Sequence, residues 1–268
     1  MLIIIFLVIA AAVAAIYVHM VGAMTWKCIL LFAACFIALN LVYILFFCIL
    51  SIFVNNSKPL KKQSPICRLG VSSILGLLLH YAMVRTHLIG VDKLPAEGRF
   101  VFVSNHRSAF DPLVALVKLN KYEIGFISKP SNMRLPVVGK LAHGIGCIAI
   151  DREHDRNALK SILQAIDYIK RDVCTIGIYP EGTRSAEGEM LPFHAGSFKI
   201  AQKAGVPLAV ACVRGTENIK KNALRRVSDV YLEIIELIPA EKVKAMSSAE
   251  LAEYSRGLIE ARLAAEAG

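Results

Sequence analysis

His106 and Asp111 stand in Ser-Asn-His-Arg-Ser-Ala-Phe-Asp-Pro, Ser104 to Pro112, directly after the apolar run Phe100–Val103. An imidazole can take a proton from an alcohol near neutral pH, which few side chains can do. A carboxylate bonded to its other ring nitrogen would fix the tautomer and steady the ring. Five positions along one continuous helix would place the two residues on different faces, so they must meet through a turn. Pro112 favours that turn, because it disfavours helical geometry at Asp111 and suits the first turn of the next helix. The plainer role for Asp111 is the N-cap of that helix. Both roles fit one carboxylate, with one oxygen capping and the other orienting His106.

A second polar block follows the apolar run Thr175–Ile178: Tyr-Pro-Glu-Gly-Thr-Arg-Ser, Tyr179 to Ser185. Gly182 lets the backbone turn closely against a ligand. Arg184 could grip a phosphate through its fork of donors. Glu181 could bind hydroxyls of a polar head group. An ordinary Pro-Glu-Gly turn with a solvated arginine is the alternative. Arg152, after Asp151 at the end of the run Cys147–Ile150, is a second candidate phosphate ligand within the charged stretch 151–156. Lys129, after Ile124–Ser128, is a third candidate cation. His194 carries no assignment.

The elements that must position these groups alternate in type. Strand-like runs are Tyr81–Ile89, Phe100–Ser104, Ile124–Ser128, Cys147–Ile150, Thr175–Tyr179, Leu208–Val213 and Val230–Ile235. Arg156–Arg171 sets Leu159, Ile162, Leu163, Ile166 and Ile169 at helical spacing. Ser197–Ala204 and Ala249–Ala265 also read as helices. The expected class is α/β, a largely parallel or mixed sheet flanked by helices. Ligands gather at the carboxyl ends of strands in such sheets. Asn105–Asp111, Asp151–Arg152 and Pro180–Ser185 each follow a strand, so they are expected to form one site.

Before this body lie Leu2 to about Met20 and Cys28 to Val54, both nearly all apolar. A membrane span needs about 20 apolar residues, so the pair is expected to form a membrane-anchoring hairpin over residues 1–56. The first run lacks the basic leader of a signal peptide. Lys58, Lys61, Lys62 and Arg68 follow the second run, and the positive-inside rule puts that flank on the cytoplasmic face of the cell membrane. Residues 57–80 are expected to be a basic linker and an interfacial or domain-packing helix, and 81–268 the α/β domain.

The 268 residues are 56% apolar, with mean hydropathy +0.54. Lys27 is the one charged side chain of residues 1–56, so the chain's +10 less that +1 leaves +9 on the rest. A basic body behind an apolar anchor suits an anionic membrane face or an acidic lipid substrate. No basic run interleaved with aromatics points to nucleic acid. The seven cysteines have no paired spacing of the zinc or redox kind, fitting a reducing compartment.

Four blocks taken in order resemble the glycerolipid acyltransferase family, which includes the 1-acylglycerol-3-phosphate acyltransferases. They are Asn-His-Arg-Ser-Ala-Phe-Asp, Cys-Ile-Ala-Ile-Asp-Arg, Tyr-Pro-Glu-Gly-Thr-Arg-Ser and Val206-Pro207-Leu208-Ala209-Val210, spread from about Val84 to Arg214. Ala149 stands where a bulkier residue is usual, and Tyr179 where Phe is common. The resemblance implies acyl transfer from acyl-CoA or acyl-carrier protein to the free hydroxyl of lysophosphatidate. It makes His106 the general base and Asp111 its orienter. Arg152, Glu181, Gly182, Thr183 and Arg184, joined by Lys129, would bind the acceptor's glycerol phosphate. It implies no metal and no bound cofactor, and membrane phospholipids as surroundings. Glycerol-3-phosphate or a lyso-aminolipid would serve the same chemistry as acceptor. A non-catalytic anionic-lipid binding protein would need the basic body and the hairpin but not His106 with Asp111. A phosphoester hydrolase would call for an acidic metal cluster that the sequence lacks.

Overall fold

The computed structural model of the chain describes residues 2–22, 24–151, 155–185 and 189–267. They divide into two compact units, residues 1–54 and 55–268.

The first unit is a pair of apolar helices, α1 (Leu2–Val21) and α2 (Trp26–Ile52). They run antiparallel: Phe6, near the start of α1, meets Tyr43 near the end of α2 edge to face, with ring centroids 5.8 Å apart. Both are long and apolar enough to cross a membrane. Leucines, isoleucines and phenylalanines lie exposed around both helices. A helix apolar on every side belongs in lipid or in a large core, and this unit supplies no such core.

The second unit is built on a seven-stranded sheet. Its strands are β1 (Val84–Ile89), β2 (Val101–Ser104), β3 (Ile124–Ser128), β4 (Ile148–Ala149), β5 (Thr175–Ile178), β6 (Leu208–Arg214) and β7 (Ser228–Ile238). The helices are α3 (Pro65–Tyr81), α4 (Asp111–Lys118), α5 (Pro130–Met133), α6 (Val138–Gly144), α7 (Asp155–Lys170), α8 (Lys199–Ala204), α9 (Ile219–Asn222), α10 (Ala240–Ala245) and α11 (Ser248–Ala267). The strand order is β1-β7-β6-β2-β5-β3-β4. All neighbours are parallel except β6 and β7. The α/β class with a largely parallel, mixed sheet is therefore the observed one.

The central strands are buried on both faces, as parallel strands require. On one face Val101, Val103, Ile176, Ile178, Leu208 and Val210 pack with Tyr168, Ile169 and Ile259. On the other, Phe102 meets Phe126 edge to face. Phe126 pairs in register with Gly177, where a Cβ would lie 2.5 Å from the Phe126 ring. A side chain at 177 would push that ring out of the layer.

Two expectations need adjusting. α7 packs through the expected Ile162, Ile166 and Ile169 together with Ala165 and Tyr168, while Leu159 and Leu163 are each 56% exposed, so the buried stripe is the predicted one shifted away from those two leucines. Arg68 is not a flanking surface charge. It is buried and donates to Gln63 Oε1 at 2.6 Å, to the Ile124 carbonyl at 3.0 Å and to the Ile145 carbonyl at 3.3 Å. Burial nonetheless lowers its pKa from the ordinary arginine value. These bonds fix α3 to the sheet, and α3 starts at Pro65, where Ser64 caps it by accepting the Cys67 N–H.

Candidate active site

β2 ends at Ser104, and the chain then leaves the sheet at its carboxyl edge. Asn105 holds that exit. Its Nδ2 donates to the Val213 carbonyl at 2.9 Å and its Oδ1 accepts from the Val213 N–H at 2.8 Å. The amide thus stands in for a further backbone pairing between β2 and β6.

His106 follows, with its side chain 19% exposed, and Asp111 is fully buried. His106 Nδ1 lies 2.8 Å from Asp111 Oδ2. The same oxygen accepts from the Arg107 N–H at 2.7 Å and the Ser108 N–H at 2.8 Å. Asp111 Oδ1 accepts from the Thr216 hydroxyl. Four donors thus surround one buried carboxylate, the condition for keeping a charge out of water. The N-cap of α4 is Phe110, not Asp111. The carboxylate folds the preceding loop back on itself rather than capping the helix. A carboxylate at Nδ1 puts the proton there and leaves the lone pair on Nε2.

The third side of the site comes from the β5 exit. Tyr179 is buried and its ring stacks on His106, with centroids 4.3 Å apart and planes 20° apart. Phe126 stacks on Tyr179 in turn, at 5.4 Å and 7°. The Tyr179 hydroxyl is buried with no hydrogen-bond partner among the described residues. Burial, aided by the nearby Asp111 charge, pushes its pKa well above the usual tyrosine value. It is a neutral wall for the imidazole.

Glu181 sits where the sequence placed it, beside His106, but its carboxylate is spent on the protein. It is buried, Oε1 accepts the His106 N–H at 2.5 Å, and Oε2 accepts the Leu191 N–H at 2.9 Å. Burial raises its pKa, against the opposing pull of those two N–H groups. The Ser185 N–H donates to the His106 carbonyl at 3.0 Å. The expected contact of Glu181 with a head-group hydroxyl thus gives way to a brace between the two loops. Gly182 has φ +77°, and its N–H closes a turn on the Tyr179 carbonyl at 3.1 Å. Thr183 and Arg184 are exposed beyond that turn. Lys129 is exposed at the end of β3, two strands from β2, about 10 Å at the usual spacing. Arg152 lies outside the described residues.

Cys147 is buried against the Phe126 N–H, and burial raises its thiol pKa. A thiol held in that form is a poor nucleophile. Among the described residues, no group of His, Cys, Asp and Glu is arranged to hold a metal. Thr216 was not singled out in the sequence, and Asn105 stood there only as the first residue of the segment Asn105–Asp111, with no role of its own. Both stand at the carboxyl end of a strand, which was the available signal.

A histidine bonded to a buried carboxylate at the carboxyl edge of a largely parallel sheet, beside an exposed arginine loop, is an arrangement that can serve a transferase or a hydrolase on an α/β frame. Comparison with known proteins narrows the class. Residues 85–214 match the family model described as Acyltransferase. The 1-acyl-sn-glycerol-3-phosphate acyltransferase of Salmonella typhimurium is 31% identical over 170 residues, covering 62% of this chain and 68% of that one. The Escherichia coli protein of the same name is 31% identical over 172 residues, with the same coverage. The crystal structure of PlsC from Thermotoga maritima, titled a 1-acyl-sn-glycerophosphate (LPA) acyltransferase, superposes with a TM-score of 0.62 at 23% identity. It covers 75% of this chain and 80% of that one, and shows the shared fold. The chain belongs to the 1-acyl-sn-glycerol-3-phosphate acyltransferase family. It is an acyltransferase, and its two apolar N-terminal helices associate it with membranes.

Proposed function

We propose that the protein moves an acyl chain from a thioester, acyl-CoA or acyl-carrier protein, to the free sn-2 hydroxyl of 1-acylglycerol-3-phosphate. The product is phosphatidate. His106 Nε2 takes the hydroxyl proton as the alcohol oxygen bonds to the thioester carbonyl carbon. The carbonyl oxygen becomes negative in the tetrahedral intermediate. Its collapse breaks the carbon–sulfur bond, and the departing thiolate recovers the proton from His106. Asp111 steadies the imidazolium between these steps. Neither a metal nor a bound cofactor enters this scheme.

Arg184, with Gly182 and Thr183 on its turn, is assigned to the acceptor's phosphate, together with Arg152 and Lys129. Glu181 acts one step back, by holding the His106 backbone against the loop that carries Arg184. The anchor confines the reaction to the membrane that dissolves both lipids, and the basic flank after α2 puts the catalytic unit on the cytoplasmic side.

The His106–Asp111 pair, with the carboxylate buried and Nε2 left as an acceptor, is the observation that carries this reading. A donor-by-acceptor matrix on detergent-solubilised protein tests it. Labelled acyl-CoA and acyl-carrier protein are each offered lysophosphatidate, glycerol-3-phosphate and a lyso-aminolipid. Phosphatidate should form from lysophosphatidate. Product only from another acceptor would reassign the substrate, and no product at all would defeat the proposal.

A further inference from the structure

The loop from α9 into β7 is held by its own backbone. The Ala223 N–H donates to the Ile219 carbonyl at 2.9 Å, and the Arg225 and Arg226 N–H groups donate to the Asn222 carbonyl at 2.9 and 3.0 Å. Arg226 Nε also reaches Asn222 Oδ1 at 2.9 Å. The side chain this framework presents is Leu224. It is 80% exposed and has φ +60°, a left-handed conformation that costs an L side chain energy. A loop built for water would place Gly or Asn there.

Single exposed leucines are common and need no explanation. This one has four exposed cations close by in sequence: Lys220, Lys221, Arg225 and Arg226. Residues 218–228 contain no acid. The flanking acids are engaged elsewhere, Glu217 with Arg107 at 3.6 Å and Asp229 with His87 at 2.8 Å. The Ser228 N–H donates to the Met83 carbonyl at 3.0 Å, which joins the loop to the end of α3. There Tyr81 and Met83 are also exposed, 42% and 40%, and the first acid of the whole chain is Asp92. An apolar tip ringed by cations, with no acid to repel anionic lipid, is the composition of a membrane-inserting surface.

We propose that the 219–227 loop is a second membrane-docking element, distinct from the N-terminal helices, which seats Leu224 among the acyl chains of an anionic leaflet. Its purpose rests on the function proposed above. The loop begins three residues after Thr216, which follows the carboxyl end of β6 and whose hydroxyl bonds Asp111. Docking this tip turns the site edge of the sheet towards the surface where a lipid acceptor resides.

Trp26 is the sole tryptophan of the chain, so a clean optical probe is available. The full-length Trp26→Phe, Leu224→Trp protein is reconstituted in vesicles of brominated phosphatidylcholine with phosphatidylglycerol. Its emission should be strongly quenched relative to unbrominated vesicles of the same charge. Equal emission in the two would overturn the proposal. A blue-shifted but unquenched signal would also overturn it, since it would mean a protein partner. In parallel, Leu224→Glu should lower turnover several-fold in vesicles and leave it unchanged in detergent micelles; equal loss in both would again overturn it. Quenching requires no acyl transfer, so a failure of the functional reading would show separately, as a wild-type protein that makes no phosphatidate beside a Trp26→Phe, Leu224→Trp protein that is still quenched.

Discussion

Asp111→Asn separates the charge of the carboxylate from its shape. The carboxamide oxygen can take the place of Oδ2, where His106 Nδ1, the Arg107 N–H and the Ser108 N–H converge within 2.7 to 2.8 Å. The amide nitrogen then faces the Thr216 hydroxyl, which can rotate to accept. The three donors at Oδ2 keep their acceptor, so the loop should keep its form, while the second amide hydrogen and the Thr216 hydroxyl hydrogen lose theirs at about 1–3 kcal/mol of stability. What disappears is the charge opposite the imidazolium. With the two charge centres about 4 Å apart and an effective dielectric near 20, that attraction is about 4 kcal/mol. It acts mainly while His106 holds the proton, so it falls on the transition state, and about 4 kcal/mol corresponds to roughly a thousandfold loss of kcat. The assay is acyl transfer from a labelled donor at saturating lysophosphatidate, with thermal unfolding on the same preparations. KM for the acceptor should stay within a few-fold of wild type. Asp111→Ala should instead cost more stability, because it takes the acceptor from two half-buried backbone N–H groups, the His106 ring and the Thr216 hydroxyl, up to about 1–3 kcal/mol each. A well-folded Asp111→Asn enzyme working within tenfold of wild type would refute the account of this carboxylate.

Other outcomes follow from the same geometry. Tyr179→Phe removes a buried hydroxyl that lacks a partner among the described residues, so it should leave activity intact and stability equal or higher by about 1 kcal/mol in thermal melts. Tyr179→Ala takes away the ring stacked on His106 and should cost about 3–5 kcal/mol, with most of the activity. Arg184→Ala should raise KM for lysophosphatidate tenfold or more while kcat changes little, as read from initial rates over a range of acceptor. His143 is buried on α6, and burial lowers its pKa below 6.5 against the opposing pull of a hydrogen bond to the Lys58 backbone carbonyl. The folded protein therefore binds a proton there less readily than the unfolded chain. The stability it contributes is complete above about pH 6.5 and is lost as pH falls through that value towards the lowered one. Denaturant melts at pH 7.5 and 5.5 should show this loss, and His143→Gln should flatten it.

The sheet was readable because buried parallel strands leave continuous apolar runs: Ile124–Ser128 begins and ends where the structure has it. The pairing of His106 with Asp111 was readable too, because a strand end, a turn and Pro112 leave the two little choice. Edges were harder. Periodicity marks α7 as amphipathic, yet which stripe faces inward depends on the sheet beneath it, and Leu159 and Leu163 ended outside. Arg68 looked like a membrane-flank charge because sequence shows a charge but not the carbonyls of Ile124 and Ile145 that receive it. Thr216 was illegible for the same reason: its partner lies 105 residues away, and only the pairing of β6 with β2 brings them together. Glu181 was expected near His106 and lies there, but the two backbone N–H groups that occupy its carboxylate belong to loops whose approach no local pattern encodes.

The central claim is that one imidazole deprotonates a lipid alcohol. Turnover of purified His106→Ala protein, with lysophosphatidate and the donor the wild type prefers, tests it most directly. Among the described residues the His106 ring stacks on Tyr179 and bonds Asp111 and makes no other hydrogen bond or ring contact, so the variant should melt close to wild type and form no phosphatidate above the uncatalysed background. A folded His106→Ala protein that still acylates lysophosphatidate at a rate comparable to wild type would contradict the mechanism.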